Sequence, residues 1–173
     1  MIDDLVFRKD FAVLTLSSKG ARGEREDTSG FYLKETLQQA GYTLVEYRIL
    51  PDQEQLIVDT LLEFVDEKKI SLIITTGGTG VSPSDVTPEA MIRVLHREIP
   101  GMAEMMRLAS MKKTSRAMLS RSKVGIRNQS LIVNLPGSLK AVRENLAVIV
   151  DVLPHALEKI QGGESDCGAG SVS

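Results

Sequence analysis

The chain has 173 residues, 42% hydrophobic, 25% charged and only 4% aromatic, with 21 Lys+Arg against 23 Asp+Glu and a net charge of −2. That balance, without a single tryptophan, argues against a dedicated nucleic-acid binder, which shows a basic excess or an aromatic stacking platform. One cysteine (Cys167) excludes an internal disulfide framework, two histidines leave too few ligands for a Cys/His zinc site, and no apolar run reaches the ~20 residues of a membrane helix.

The N-terminus opens acidic and lacks the basic-then-apolar order of a signal peptide, so a reduced, cytoplasmic protein is expected. The first apolar run, residues 11–16, is short and continuous, the pattern of a strand buried on both faces of a parallel sheet. Residues 17–27 follow as a polar loop. Asp27 or Thr28 then caps a helix whose apolar positions Leu33, Leu37 and Ala40 share one face, with Gly41 in the C′ position. Residues 43–50 form the next strand and end at Pro51-Asp52. Ile57, Leu61, Phe64 and Val65 mark a second helix, which closes in Asp66-Glu-Lys-Lys69.

Residues 70–76 make a third strand that runs straight into Gly77-Gly-Thr-Gly80. Strands alternating with helices predict a three-layer α/β fold: a mostly parallel sheet with helices on both faces, one domain over residues 1–162. Pro88 and Pro100 open two further helices, and the methionines from Met91 to Met111 suit adaptable core or subunit packing. Residues 122–126 and 130–134 can pair around Arg127-Asn-Gln129. Leu135-Pro-Gly-Ser138 is a second strand-to-helix corner, after which Val142, Leu146, Ile149, Val150 and Leu153 form a helical stripe interrupted by Pro154. Residues 163–173 read as a flexible tail, and Cys167 within it as a non-catalytic thiol. His96 reads as a surface residue and His155 as a structural one.

In an open parallel sheet, ligands bind beyond the carboxyl ends of the strands. Ser17-Ser18, Pro51-Asp52, the glycine loop with Asp85, and Leu135-Pro-Gly-Ser138 all fall there. Consecutive glycines free backbone N–H groups for phosphate oxygens, although the loop matches neither G-x-x-x-x-G-K-[ST] nor G-x-G-x-x-G and is equally readable as a tight turn. A carboxylate at Asp85 beside a phosphate requires a cation between them, which points to Mg²⁺; the alternative is a cap for the helix opened by Thr87 and Pro88. Asp52 carries the same ambiguity. No Ser/His/Asp or Cys/His triad is apparent.

The run Thr75-Thr-Gly-Gly-Thr-Gly-Val-Ser-Pro-Ser-Asp-Val-Thr-Pro-Glu-Ala90 resembles the signature of the molybdopterin adenylyltransferase family, the MogA/MoaB group that includes the gephyrin G domain. Shorter matches keep the family order from Leu14-Thr-Leu-Ser17 through Asp27-Thr-Ser-Gly30, Leu50-Pro-Asp52, Pro100-Gly-Met102, Ala117-Met-Leu-Ser-Arg121, Gly125-Ile-Arg127 and Leu135-Pro-Gly137 to Leu153-Pro-His-Ala156. The resemblance implies a homotrimer that binds molybdopterin and ATP, uses Mg²⁺ without a tightly bound prosthetic group, and adenylylates molybdopterin with release of pyrophosphate. It implies a catalytic pair at Asp52 and Asp85, which would also hold the metal. Substrate contacts are implied at Ser17, Thr76, Gly77, Gly78, Thr79, Gly80, Ser120, Arg121, Pro136 and Gly137. The molybdate-inserting enzyme of the same pathway is an expected partner, and a non-catalytic molybdopterin-binding paralogue of the MoaB type is the alternative. Two positions depart from many relatives: Ser18 stands where they carry Asp, and Ser84 where they carry Arg. Arg121 or Lys123 is expected to replace the charge missing at Ser84.

Overall fold

A computed structural model describes residues 7–163. Its first strand, β1 (Asp10–Leu16), serves two cores at once. Phe11 and Val13 enter one cluster while Ala12, Leu14 and Leu16 enter the other, which is why the apolar residues run consecutively from Phe11 to Leu14 rather than at alternate positions. The neighbouring strands are β2 (Thr43–Leu50), β3 (Leu72–Thr76), β5 (Val124–Arg127) and β6 (Ser130–Leu135), and a two-residue strand β4 (Arg97–Glu98) closes the far edge. The order is β2-β1-β3-β6-β5-β4, parallel across the first four strands and antiparallel from β6 to β4.

The helices are α1 (Ser18–Ala21), α2 (Thr28–Gln39), α3 (Glu54–Leu62), α4 (Thr87–Val94), α5 (Pro100–Met111), α6 (Leu139–Ile149) and α7 (Leu153–Ile160). One core takes Leu33 and Leu37 of α2, Met106 of α5, Val142 and Leu146 of α6 and Leu157 of α7. The other takes Ile57 and Leu61 of α3 and Met91 and Val94 of α4. The expected three layers are present, and so is the β5–β6 hairpin around Asn128, whose φ of 51° makes the reversal.

Several local expectations change. A single helical turn, α1, interrupts the loop after β1, capped by the Ser17 hydroxyl, which accepts from Gly20 N–H at 3.0 Å. The third strand begins at Leu72, because Ser71 is drawn aside to the Asp10 carboxylate. The second helix finishes in a widened turn, Glu63–Glu67. Pro154 opens a separate helix rather than kinking one, and His155 on that helix is exposed, not structural. Of the methionines, Met91 and Met106 are buried whereas Met105 and Met111 are exposed. The tail beyond residue 163, with Cys167, lies outside the described residues. Among the described residues no helix is long and apolar enough to cross a membrane.

Candidate functional site

The strand register sets the site. Leu16 is paired with Leu50, Thr15 with Thr76, and Thr76 with Leu135, so β1, β2, β3 and β6 end together. The four corners that follow them surround one cavity of about 690 Å³ lined by Ser17, Ser18, Asp52, Gly77, Gly78, Asp85, Gly137 and Ser138 among others. The convergence expected from the sequence is therefore observed for these residues.

The glycine loop is held open by its surroundings. Gly77 and Gly78 both have positive φ, 105° and 64°. A Cβ on Gly77 would lie 2.3 Å from the Leu16 carbonyl oxygen, and one on Gly78 would lie 2.4 Å from Thr87 Oγ1. Thr87 fastens the loop from below, its hydroxyl donating to Gly77 O at 3.0 Å and its N–H to Gly78 O at 3.1 Å. On the other side Thr76 Oγ1 donates to Pro136 O at 2.7 Å and Ser29 Oγ to Gly137 O at 2.8 Å. These bonds satisfy carbonyls. The N–H groups of Gly78, Thr79, Gly80, Gly137 and Ser138 donate to no protein atom among the described residues. Unpaired amides on two adjoining corners make an anion-binding concavity.

Two carboxylates flank that loop. Asp52 Oδ2 accepts from Ser18 N–H at 2.9 Å and from Ser18 Oγ at 2.7 Å, while Oδ1 lies 3.5 Å from a Cβ built on Gly78. Asp85 Oδ2 accepts from Ser82 N–H at 2.9 Å and lies 2.8 Å from a Cβ built on Gly80. Asp85 therefore closes its own turn instead of capping α4, whose N-cap, Val86, makes no side-chain bond. Each aspartate keeps one oxygen without a protein donor among the described residues.

Other expected residues lie elsewhere. Thr79, Gly80, Ser120 and Pro136 line a second cavity of about 350 Å³, with Arg107, Arg116 and Asn145. Gly78 thus lines one cavity and Gly80 its neighbour. Arg121 lines a third depression and is committed to protein: Nε donates to Gly80 O at 2.7 Å, Nη2 to Asp85 O at 2.6 Å, and Nη1 pairs with Glu89. That guanidinium holds the Glu89 carboxyl below its ordinary value. Lys123 pairs with Glu98 at 2.7 Å. Against the expectation that Arg121 or Lys123 compensates for Ser84, both side chains are engaged by protein groups, whereas the side chains of Lys19 and Arg25 line the main cavity with no hydrogen bond or ion pair among the described residues.

In the sequence Asp27 presents itself as a helix cap and as part of the match Asp27-Thr-Ser-Gly30, with no role assigned in the site. It does cap α2, accepting from Gly30 N–H at 2.8 Å, but it also lines the cavity and accepts from Thr15 Oγ1 and, at 2.6 Å, from Tyr47 O–H. Partial burial, reinforced by this carboxylate, pushes the Tyr47 phenol well above its ordinary pKa and keeps it a donor.

A family model described as "Probable molybdopterin binding domain" matches residues 12–155. The chain belongs to this family. It is 40% identical over 152 residues to a molybdopterin adenylyltransferase of Helicobacter pylori, covering 87% of this chain and 86% of that protein. Against the Drosophila melanogaster molybdenum cofactor synthesis protein cinnamon the identity is 41% over 151 residues, 87% of this chain but only 25% of that longer protein. The crystal structure of the molybdopterin biosynthesis enzyme MoaB from Thermus thermophilus superimposes with a TM-score of 0.84 at 44% identity, covering 91% of this chain and 98% of that one.

Proposed function

We propose that the chain is a molybdopterin adenylyltransferase of molybdenum cofactor biosynthesis, joining the terminal phosphate oxygen of molybdopterin to the α-phosphorus of ATP as the bond to pyrophosphate breaks. One observation carries this reading: a loop with three consecutive unpaired N–H groups, Gly78 to Gly80, lies between two carboxylates that each retain a free oxygen. Phosphoryl-type transfer asks little covalent chemistry of a protein; it asks for alignment and neutralisation of developing charge. Such a transfer needs no protein nucleophile.

The donor set fits Mg²⁺. Among the described residues no three His, Cys, Asp or Glu groups converge on a metal site, and Asp52 and Asp85 flank the loop as a pair. One or two carboxylates completed by substrate phosphates and water are what this ion accepts. When bound, Mg²⁺ supplies charge neutralisation on the nucleotide phosphates. The chain's own groups do the rest: the loop amides hold phosphate oxygens, the helix corner at Ser138 adds a second set, and Lys19 and Arg25 at the mouth attract the anionic nucleotide. The adjoining cavity with Ser120 and Pro136 gives a second substrate a place on the other side of the same loop. Met105, Leu108 and Met111 on the exposed side of α5, with Met118 and Leu119 beyond it, suit self-assembly, proposed as a trimer and checked by ultracentrifugation.

The test is pyrophosphate release from Mg²⁺, ATP and molybdopterin. Asp85→Asn is expected to abolish release with an unchanged circular dichroism spectrum, and undiminished turnover would remove Asp85 from the mechanism. Calorimetry showing molybdopterin binding but no Mg-ATP binding would instead establish a binding-only protein.

A further inference from the structure

We infer that Ser18 is a positioning residue for Asp52, reserving one oxygen of that carboxylate for the protein so that the other is presented to the ligand. The inference rests on the proposed role of Asp52 at the cation and phosphate site.

The geometry is a closed ring of three hydrogen bonds. Ser18 N–H donates to Asp52 Oδ2 at 2.9 Å, Ser18 Oγ lies 2.7 Å from the same oxygen, and Asp52 N–H donates back to Ser18 Oγ at 3.1 Å. A hydroxyl has one hydrogen and two lone pairs. The Asp52 amide occupies one lone pair, and a carboxylate oxygen has no hydrogen to give, so the hydroxyl donates its hydrogen to Oδ2 and the direction of every bond in the ring is determined. Oδ2 thereby receives two donors and Oδ1 receives none among the described residues. Oδ1 is also the oxygen that approaches Gly78.

The backbone N–H of Ser18 would hold Oδ2 by itself, but a single donor leaves the carboxylate free to turn and exchange its two oxygens. The hydroxyl adds the second point of attachment that stops this. A carboxylate pinned in that way offers one oxygen, which suits a small cation demanding strict octahedral geometry and disfavours bidentate capture by a larger one. Outer groups that orient a ligand in this manner alter metal affinity or activity by about 10- to 100-fold when removed.

The experiment uses the full chain with Ser18→Ala, Ser18→Thr and Asp52→Asn. Mn²⁺ binding is read by electron paramagnetic resonance in the presence of an ATP analogue blocked at its α,β bridge, and Mg²⁺ dependence by pyrophosphate release. Ser18→Ala is expected to raise the Mn²⁺ Kd and the Mg²⁺ concentration for half-maximal rate by about tenfold while leaving KM for molybdopterin unchanged. Ser18→Thr, which keeps a hydroxyl, is expected to restore both. An unchanged Kd in Ser18→Ala alongside a weakened Asp52→Asn overturns the role of Ser18 alone. An unchanged Kd in both overturns the reading of Asp52 as well. A defect that Ser18→Thr fails to restore is a packing defect and also overturns the inference.

Discussion

Replacing Gly78 with alanine separates two reasons for a glycine at that position. Its φ of 64° costs a residue with a Cβ roughly 1–2 kcal/mol. The second reason is local crowding, since the new Cβ would lie 2.4 Å from Thr87 Oγ1, a fully buried side chain. Displacing that hydroxyl breaks its 3.0 Å bond to Gly77 O and strands the carbonyl, a further loss of roughly 1–3 kcal/mol. The total, about 3 kcal/mol, corresponds to a Tm decrease of roughly 6–12 °C for a chain of this size. Gly41→Ala is the control: φ is 86° but nothing lies within 4 Å, so only the backbone penalty of about 1 kcal/mol, or roughly 2–4 °C, is expected. Activity should separate the two more widely. The same Cβ stands 3.5 Å from Asp52 Oδ1, and misplacing a phosphate by about 1 Å lowers turnover about 100-fold. Scanning calorimetry and pyrophosphate release measure the two effects. Equal Tm losses in the two variants, with normal turnover in Gly78→Ala, would refute the argument from Thr87 and Asp52.

Arg121→Lys should lower kcat about tenfold with a KM for Mg-ATP insensitive to salt, because the lost fork braces Gly80 O and Asp85 O rather than a ligand. Lys19→Ala and Arg25→Ala should instead raise that KM severalfold, an effect that fades at high ionic strength as expected of exposed cations at the cavity mouth. Glu63 is held at about 2 by Arg48, which donates to it at 2.6 and 2.7 Å, and by Lys68, against an ordinary value of 4.5. Its contribution is complete above the ordinary value and disappears as pH falls through the folded one. Arg48→Met should therefore cost about 1 kcal/mol at pH 7 by urea unfolding, after discounting for solvent screening, with the difference shrinking between pH 4.5 and 2. A pH-independent difference would assign the effect to the packing of Arg48 over Phe64, 4.8 Å from the ring centroid.

What was legible in the sequence was whatever a short segment determines alone. Residues 11–16 announce a doubly buried strand because every side chain there except that of Thr15 joins one core or the other, and each strand-to-helix corner carries its own Gly, Pro, Asp or Ser. Since parallel strands all end on one edge, the corners could be brought together without coordinates. Illegible were interactions whose second partner is backbone or distant. The fork of Arg121 reaches carbonyls of residues 80 and 85, and a carbonyl carries no residue-type signature. Three aspartates at one edge look alike in sequence, yet hydrogen bonding ranks them. Thr15, Tyr47 and Gly30 together occupy both oxygens of Asp27, while Ser18 and Ser82 occupy one oxygen each of Asp52 and Asp85. Among these three aspartates the uncommitted oxygens therefore belong to the pair flanking the glycine loop, and Asp27 is left to fix the N-terminus of α2 to the sheet. A net charge of −2 could not reveal this division, because it depends on which lone pairs the protein has already used.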